Sequence, residues 1–497
     1  MLQTIAPTPL PDAAAVLDDF ELDIFGQQGT PVYTQISLIY ALPDASPQWY
    51  LSIVETLQTG LVRLSASFPW IAGQIIVEHP EGHPEHGSTN HAHPHGHGNS
   101  QNQEHVDHTS TGVYKIKYLD DIPKLVVKDL RGDTTAPTMQ KLREAKFPFR
   151  LLDESVVAPR KTLILPSPDP LNVCLVQATF IDGGLIFTFL GHHAVMDGVG
   201  QGEMMNLLQK ACRNEQFTPE ELDIGNAPRK NIIPLFPEDH QLGTELNHQL
   251  FSSQPGPPPP PPPATANGKH KTPHFNWEYY VFSGPNLKAL KDEASNSLAS
   301  GYISTDDALT AFVWQAVVRA RLPRLRPSDR VTLARAVNVR SYLKIAETYP
   351  GNATNMSFHD SIAIHLISHE LAAVATNLRA SLDPKTSKLR NLTKAYATYL
   401  HRTPDKNSIN LTATLDLSKD IMLSSWAKLN SYDLDFGFGI GKPEAVRRPQ
   451  FTGVESLMYL MPRKPDGEIA VALCLREDDL DRLNSDEEFL RYGTCVI

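Results

Sequence analysis

The chain has 497 residues, of which 41% are hydrophobic and 20% charged, as in a globular protein too long for one ordinary core. Its formal net charge of −11 argues against a general binder of nucleic acid or acidic membranes. The four scattered cysteines lack metal-ligand spacing, and neither a secretory signal nor a run of about 18 apolar residues is visible. We therefore expect a cytoplasmic protein with reduced thiols, no metal and no membrane span.

The first half of the sequence alternates strand and helix patterns. Tyr33 to Leu42 predicts a strand, Trp49 to Phe68 an amphipathic helix, and Val113 to Leu119 and Leu125 to Asp129 two more strands. Between the helix and these strands, Glu78 to His108 contains nine of the 19 histidines. Metal chelation by alternating histidines is one interpretation, and a solvated insertion that cannot form a packed core is the favoured one.

A predicted hairpin leads to the first motif that could carry chemistry. Val173 to Phe180 and Leu185 to Leu190 predict two strands joined by a glycine turn, and Met204 to Arg213 predicts a helix. His193 and Asp197 lie between the hairpin and the helix, where scaffolds commonly present catalytic groups. The bare pattern His-x-x-x-Asp is weak evidence, and on the hairpin alone a hydrogen-bonded histidine at a strand end is an equally good interpretation.

The second half follows a proline-dotted connector and a polyproline run from Pro255 to Pro263, which predicts a surface loop. Ser304 begins a capping-box-like sequence that predicts a helix start. Strands are predicted at Trp277 to Phe282, Val331 to Val339, Asp420 to Leu429, Ser456 to Met461 and Glu468 to Leu475, and helices at Ala308 to Arg321, Leu366 to Leu382, Ser387 to His401 and from Asp478 onward. Strands alternating with helices in two halves predict an α/β fold.

A glycine-rich motif, Asp-Phe-Gly-Phe-Gly from Asp435 to Gly439, follows one of these strands. Glycines at 437 and 439 would let the backbone approach another segment or a ligand closely. The motif lacks the G-x-G-x-x-G spacing of a dinucleotide site, so alone it predicts only a glycine-rich turn.

Together, the histidine motif and the Asp-Phe-Gly-Phe-Gly motif about 240 residues later resemble the BAHD acyltransferases, a CoA-dependent family marked by HxxxD and DFGWG. Seven further runs are similar to the fungal trichothecene 3-O-acetyltransferases, and this resemblance implies a role in the secondary metabolism of mycotoxins. They are YTQISLIY, VVKDLR, APRKT, STDDAL, MLSSWAK, GKPEAVRRP and ESLMYLMPRKPDGE, starting at Tyr33, Val126, Ala158, Ser304, Met422, Gly441 and Glu455. The likeness covers most of the chain outside the two insertions, with Phe438 where Trp is usual.

The resemblance implies two similar chloramphenicol-acetyltransferase-like domains, built on mixed sheets with flanking helices, and an active-site channel between them. We expect an N-terminal lobe over 1–225 with the histidine-rich insertion at 78–108, a connector over 226–275 with the proline-rich insertion, and a C-terminal lobe over 276–497. The protein is expected to be a monomer that binds small molecules, with no nucleic acid or membrane as partner.

The resemblance also implies the reaction. Acetyl would pass from acetyl-CoA, a co-substrate rather than a permanently bound cofactor, to a secondary hydroxyl of a sesquiterpenoid, the C-3 hydroxyl of a trichothecene. His193 is the predicted general base, because an imidazole that titrates near about pH 6.5 can take the hydroxyl proton. By resemblance, Asp197 points away from the substrate, pairs with Arg340 and holds the histidine loop in place. His192 is expected to pack beside His193.

Other site residues follow from the resemblance or from proximity in sequence. Asp435, Gly437 and Gly439 are expected to be structural. Candidate contacts with CoA are Ser424, Ser425, Lys442, Arg447 and Arg448, and a solvated charged face is an equally good interpretation of the three basic residues.

Three alternatives remain open. A condensation-type acyltransferase shares the HHxxxDG form but takes its acyl group from a carrier protein. A BAHD enzyme could act on another alcohol or on an amine. A metal-binding or scaffold protein would work through the histidine and proline tracts instead.

Overall fold

The computed structural model describes residues 19–79, 112–119, 121–164, 169–251, 274–296, 298 and 301–496. Three parts of the sequence interpreted above lie outside these residues: residues 1–18, the histidine-rich tract beyond His79 and the polyproline run. The described strands are Phe20–Glu21 (β1), Tyr33–Ala41 (β2), Gln74–Glu78 (β3), Val113–Lys117 (β4), Lys124–Asp129 (β5), Cys174–Ile181 (β6), Gly184–His192 (β7), Phe275–Phe282 (β8), Arg330–Asn338 (β9), Thr354–Ile362 (β10), Ile421–Ser425 (β11), Ala445–Arg447 (β12), Leu457–Leu460 (β13), Ile469–Arg476 (β14) and Gly493–Val496 (β15).

Helices alternate with these strands, as the sequence predicted. The described α-helices are Pro47–Ser67 (α1), Met139–Glu144 (α2), Glu154–Val157 (α3), Gly198–Cys212 (α4), Pro219–Gly225 (α5), Gly284–Ser295 (α6), Thr305–Arg321 (α7), Arg340–Leu343 (α8), Ala363–Ser368 (α9), Leu371–Ala380 (α10), Leu389–Arg402 (α11), Glu477–Leu483 (α12) and Glu487–Leu490 (α13). The predicted α/β class is therefore confirmed.

A five-stranded sheet in the order β12-β2-β7-β6-β5 carries the histidine motif at its end. The predicted hairpin is present: β6 and β7 pair antiparallel, and β2 pairs along the other side of β7 with Tyr33 opposite His192. Both hairpin strands are buried throughout; helices α1 and α4 pack against each other beside this sheet, and α3 contacts both strands. Strand β12 reaches this sheet from the second half of the sequence, so the two halves are joined by backbone hydrogen bonds.

A seven-stranded mixed sheet in the order β10-β9-β11-β13-β14-β8-β15 forms the second half. Helix α7 covers it and is buried on nearly all sides, between the sheet and helices α6, α10 and α12. The predicted capping box at its start is present, since Ser304 accepts a hydrogen bond from the Asp307 amide and Asp307 accepts one from the Ser304 amide. A small sheet, β1-β4-β3, completes the described strands.

Several described elements differ from the predicted ones. The predicted helix from Leu366 to Leu382 is two helices, α9 and α10, separated at His369 and Glu370. Strand β10 was not predicted, because its polar residues hide the strand pattern, yet it pairs along the whole of β9. The helix predicted from Asp478 onward is present as α12 and α13, and strand β15, which was not predicted, follows and pairs with β8.

Helix α4 begins at Gly198, six residues before the predicted start. The glycines at 198, 200 and 202 disfavour a helix by propensity, but the Asp197 side chain caps it by accepting a hydrogen bond from the Gly200 amide at 2.8 Å. Glycine is needed at 200 because a Cβ there would stand 2.3 Å from the Pro350 carbonyl oxygen of the second half. The early helix start therefore depends on close packing between the halves.

Gly200→Ala tests this contact. Alanine normally stabilises a helix by about 1 kcal/mol relative to glycine, but here its Cβ would collide with the Pro350 carbonyl. We expect the substitution to lower the free energy of unfolding by about 1–3 kcal/mol, measured by urea denaturation. Gly202→Ala is the matched control, since its Cβ would meet only the movable Leu429 side chain, at 3.1 Å. An equal loss in the control would contradict the explanation.

Candidate active site

A cavity of ≈ 200 Å³ lies between the five-stranded and seven-stranded sheets. Its walls come from both halves of the sequence and include His193 and Gly198 from the first half and Asn352, Trp426 and Arg448 from the second. The remaining wall combines apolar side chains with about as many side chains that carry hydroxyl or amide groups, and polar groups of this kind can orient a bound small molecule.

Two hydrogen bonds fix the backbone of His193, one at its N–H and one at its carbonyl oxygen. Its N–H donates to the Val32 carbonyl oxygen at 2.8 Å, and its carbonyl oxygen accepts from Asn352 Nδ2 at 2.7 Å. One ring nitrogen is hydrogen-bonded to the carbonyl of His193 itself, and no described residue supplies a partner for the other. Burial lowers the pKa of the imidazole below its usual 6.5, so the neutral form, which can accept a proton, dominates near neutral pH.

His192 lies beside this residue but is buried in the protein rather than in the cavity wall. Its Nδ1 accepts a hydrogen bond from the Ala194 amide at 3.2 Å, and its ring packs edge-on against Tyr33 with 5.1 Å between ring centres. Burial lowers its pKa to about 3, with a smaller effect from the adjacent His193. His192 is therefore a neutral packing residue.

Asp197 and Arg340 form a fully buried ion pair, the pairing expected from the sequence. Arg340 Nη1 and Nη2 donate to the two carboxylate oxygens at 3.0 and 2.9 Å, a bidentate geometry. The carboxylate also accepts from the amides of Gly200 and Ala353 and from the hydroxyl of Thr354. Burial alone would raise the pKa of Asp197, but Arg340 and these hydrogen bonds hold it below its usual 3.8.

Among the described residues, no hydrogen bond joins Asp197 to the imidazole of His193, and the Asp197 charge only opposes the lowering of that ring's pKa by burial. The hydrogen bonds that its carboxylate accepts within the described structure come from Arg340, Gly200, Ala353 and Thr354. A Ser-His-Asp or Cys-His-Asp arrangement, in which the acid orients the histidine ring, is therefore not what this geometry provides. The ion pair instead fixes the turn between β7 and α4.

Three positions that the sequence gave no reason to single out complete this framework. Asn352 holds the His193 carbonyl, and its own amide donates to the buried Asp23 carboxylate at 2.9 Å. Asp23 also accepts from the Tyr349 hydroxyl at 2.9 Å. Burial raises the pKa of Asp23, and the nearby Arg229 opposes that shift. No local motif marks these residues, because their role depends on segments more than 150 residues apart meeting in space.

The glycine-rich motif lies away from the cavity. Gly437 and Gly439 have φ of 73° and 78°, a left-handed backbone that glycine adopts without strain. The Asp435 carboxylate accepts from the Gly437 amide at 2.9 Å and so closes the turn. Phe436 and Phe438 between these residues are buried against the five-stranded sheet. The geometry is that of an anchor joining the halves, in keeping with a structural role for Asp435, Gly437 and Gly439.

The five candidate CoA contacts are not brought together in one place. Ser424, Ser425 and Arg448 line the cavity. Lys442 is exposed and pairs with Asp433 at 2.9 Å, whereas Arg447 is buried elsewhere and donates to backbone carbonyls of residues 146, 147 and 446. Lys442 and Arg447 thus have other partners, and the three basic residues do not form one phosphate-binding cluster.

No helix in the described part of the chain is long and apolar enough to cross a membrane. No group of three or more histidine, cysteine, aspartate or glutamate side chains is arranged to hold a metal ion within the same residues.

Comparison with known proteins gives full-length similarity. Residues 32–212 match the family described as trichothecene 3-O-acetyltransferase-like N-terminal domain, and residues 157–490 match the family described as Transferase family. A trichothecene 3-O-acetyltransferase of Fusarium sporotrichioides is 45% identical over 487 residues, covering 96% of this chain and 97% of that protein. An O-acetyltransferase of Cryptosporiopsis sp. is 47% identical over 484 residues, covering 96% and 98%.

The fold is also that of a solved structure. The crystal structure of the F. sporotrichioides protein TRI101 complexed with coenzyme A and T-2 superposes with a TM-score of 0.83 at 43% sequence identity. The match covers 96% of this chain and 100% of that one. The two-domain transferase fold that the sequence resemblance implied is therefore confirmed.

Asp197→Asn tests the importance of the ion pair for the fold. The substitution leaves the Arg340 guanidinium buried without its counter-charge, a change that typically costs about 3–5 kcal/mol. We expect a lower melting temperature and a lower soluble yield together with lost activity, measured by thermal unfolding and by expression. Asp433→Asn, which removes the exposed partner of Lys442, is the matched control and should leave the melting temperature within about 1 °C. An unchanged melting temperature in Asp197→Asn would contradict the structural role.

The lowered pKa of His193 predicts the pH dependence of activity. A base whose pKa is lowered from 6.5 is protonated, and so loses function, at a lower pH than an ordinary histidine. We expect kcat/KM to fall toward acidic pH with an apparent pKa below 6.5. The measurement is an acyl-transfer pH profile, and an acidic limb centred above pH 7 would contradict it.

Proposed function

The chain belongs to the BAHD-type Transferase family with a trichothecene 3-O-acetyltransferase-like N-terminal domain and is a CoA-dependent O-acetyltransferase, and from this premise we propose that it acetylates a secondary hydroxyl of a sesquiterpenoid. The C-3 hydroxyl of a trichothecene is the specific acceptor proposed. Acetyl-CoA is the donor and serves as co-substrate.

One observation supports the proposed chemistry above all others. His193 lines a cavity between the halves, and one nitrogen of its ring has no hydrogen-bond partner among the described residues. The carboxylate of the motif, Asp197, is bound to Arg340. An imidazole in this position can take a proton from a bound alcohol without help from an acid. His193 is therefore the proposed general base and Asp197 a positioning residue.

The proposed reaction proceeds in two steps within a ternary complex. The alcohol oxygen attacks the thioester carbonyl carbon as its proton passes to His193, and the carbonyl electron pair moves to the oxygen to form a tetrahedral oxyanion. The oxyanion then collapses, the carbon–sulfur bond breaks, and the departing CoA sulfur receives the proton from His193. No acyl-enzyme is required, because the alcohol itself is the nucleophile.

The acceptor class is supported by the cavity wall and by the relatives. Apolar side chains contributed by both halves, among them Phe25, Val32, Met356, Leu411 and Leu457, suit a compact, mainly hydrocarbon alcohol. The 45% identical relative is named for action at the 3-hydroxyl of trichothecenes. Both observations favour a sesquiterpenoid acceptor.

A second candidate is another fungal secondary-metabolite alcohol. The Cryptosporiopsis relative is slightly more similar in sequence and is named only as an O-acetyltransferase. Donor use separates both candidates from a condensation-type enzyme, because acetyl-CoA alone would suffice for the former and a loaded carrier protein would be needed for the latter.

Acceptor identity is tested with purified protein, acetyl-CoA and a panel of alcohols, with release of free thiol as the readout. We expect turnover with a trichothecene that has a free C-3 hydroxyl. The same compound already acetylated at C-3 is the matched control and should give no release above background. Faster turnover of an unrelated alcohol, with no turnover of the trichothecene, would exclude the proposed acceptor and favour the second candidate.

His193→Ala tests the base. Loss of a positioned general base should reduce kcat by about 10²–10⁴-fold, while the fold survives because the backbone contacts of this residue are kept. The measurements are thiol release and thermal unfolding on the same preparation. His365→Ala, an exposed histidine on α9, is the control and should retain activity. Full turnover by His193→Ala would exclude it as the base.

A further inference from the structure

Among the described residues, six arginines have almost completely buried side chains. Five of them donate hydrogen bonds to protein oxygens: Arg229, Arg321, Arg335, Arg340 and Arg447. The sixth is Arg448, which is 2% exposed. Its Nε is buried without an acceptor, and no described residue accepts a hydrogen bond from the rest of its guanidinium or forms an ion pair with it. A buried charge without a counter-charge or acceptor is rare, because desolvation strongly disfavours it.

Aromatic rings surround the Arg448 guanidinium instead. Its Cζ lies 4.5 Å from the ring centre of Phe451, 4.9 Å from that of Tyr459 and 5.6 Å from that of Trp426. Cation–π contacts of this kind stabilise the charge without neutralising it and without using the N–H donors. The guanidinium is thus held in a fixed place with its donors still available.

Arg448 lines the same cavity as His193. Trp426, which contacts Arg448, packs on the start of α4, since its Nε1 is 3.3 Å from the position that a Cβ on Gly198 would occupy. The charge of Arg448 also lowers the pKa of His193, although burial has the larger effect. The guanidinium and the imidazole therefore belong to the wall of one cavity.

Most other polar donors in the cavity wall are already used. Asn352 donates to the His193 carbonyl, Thr354 to Asp197, and Ser425 to Asp306. Gln28 donates to the backbone carbonyls of residues 406 and 409. The charged donor that remains is Arg448, so the positive potential in the cavity is concentrated there.

We propose that Arg448 is a catalytic residue that donates hydrogen bonds to the thioester oxygen and stabilises the oxyanion formed there when the alcohol attacks. The carbonyl oxygen gains the electron pair of the former C=O bond while His193 holds the alcohol proton, and it returns that pair when the carbon–sulfur bond breaks. A fixed donor in a water-poor cavity stabilises such a charge without having to reorganise. This role rests on the proposed acetyl transfer from CoA.

A pair of CoA thioethers tests the role by direct binding. The two analogues are carboxymethyl-CoA, which has an anionic oxygen on the carbonyl carbon, and acetonyl-CoA, which has a methyl group there. The ratio of their dissociation constants therefore reports on a cation near the acyl position. By calorimetry we expect the wild-type protein to bind carboxymethyl-CoA at least about tenfold more tightly, and Arg448→Gln to lose that preference. If the wild-type protein binds both analogues with equal affinity, the role of Arg448 is overturned but the use of CoA is not. Failure of both to bind overturns the use of CoA as well.

Kinetics of the same variants separate an oxyanion contact from a ground-state contact. We expect Arg448→Gln to lower kcat by about 10²-fold with both KM values nearly unchanged, and Arg448→Lys to lose less because it keeps the charge. Arg143→Gln, which removes one positive charge from an exposed pair with Glu444, is the control for net charge. A raised KM for either substrate with unchanged kcat, or unchanged kinetics, overturns the proposal. The wild-type binding ratio decides it even where the glutamine variant does not fold.

Discussion

The buried ion pair between Asp197 and Arg340 is the contact on which the rest of this structure depends. It joins the turn after β7, in the five-stranded sheet, to the segment between β9 and β10 in the seven-stranded sheet. Taking both charges out of water is unfavourable, and the bidentate geometry together with the bonds from two amides and a hydroxyl offsets that penalty. On the arginine side, the carbonyls of residues 349 and 351 and the side-chain oxygen of Asn338 are further acceptors. The two halves are thus held in one arrangement at the point where the cavity opens.

Because of this arrangement, the two residues of the histidine motif have different roles: Asp197 is structural, and His193 is left for chemistry. Because Asp197 is fully occupied by Arg340 and by backbone amides, it cannot also orient the His193 ring. Orientation of His193 comes instead from its own backbone carbonyl, from Val32 and from Asn352. The imidazole can then serve as a base alone, and burial keeps it neutral at the pH where an alcohol must lose its proton.

A second connection between the halves is made by residues of the second half that pack on the five-stranded sheet of the first half. The glycine-rich motif places Phe436 and Phe438 against the five-stranded sheet, and the next segment adds β12 to that sheet beside β2. The residue directly after β12 is Arg448, which therefore emerges at the cavity, whereas its neighbour Arg447 points to carbonyls on the other side. Strand alternation separates these adjacent arginines, and this separation gives Arg448 the role proposed for it.

The sequence by itself determined the elements with strong periodicity and the motifs with local chemistry. The hairpin that ends at His192, helices α1 and α7 and the capping box at Ser304 follow from patterns within about 20 residues, and the resemblance extended them to the fold, to the reaction class and to the Asp197–Arg340 pairing. Only the tertiary structure decided that Asn352 and Asp23 support the histidine turn and that polar strand β10 pairs with β9. It also decided that the side chains of Lys442, Arg447 and Arg448 lie in three different places. These outcomes depend on burial and on contacts between segments far apart in sequence, and no local pattern records which side chain meets a partner and which remains unpaired.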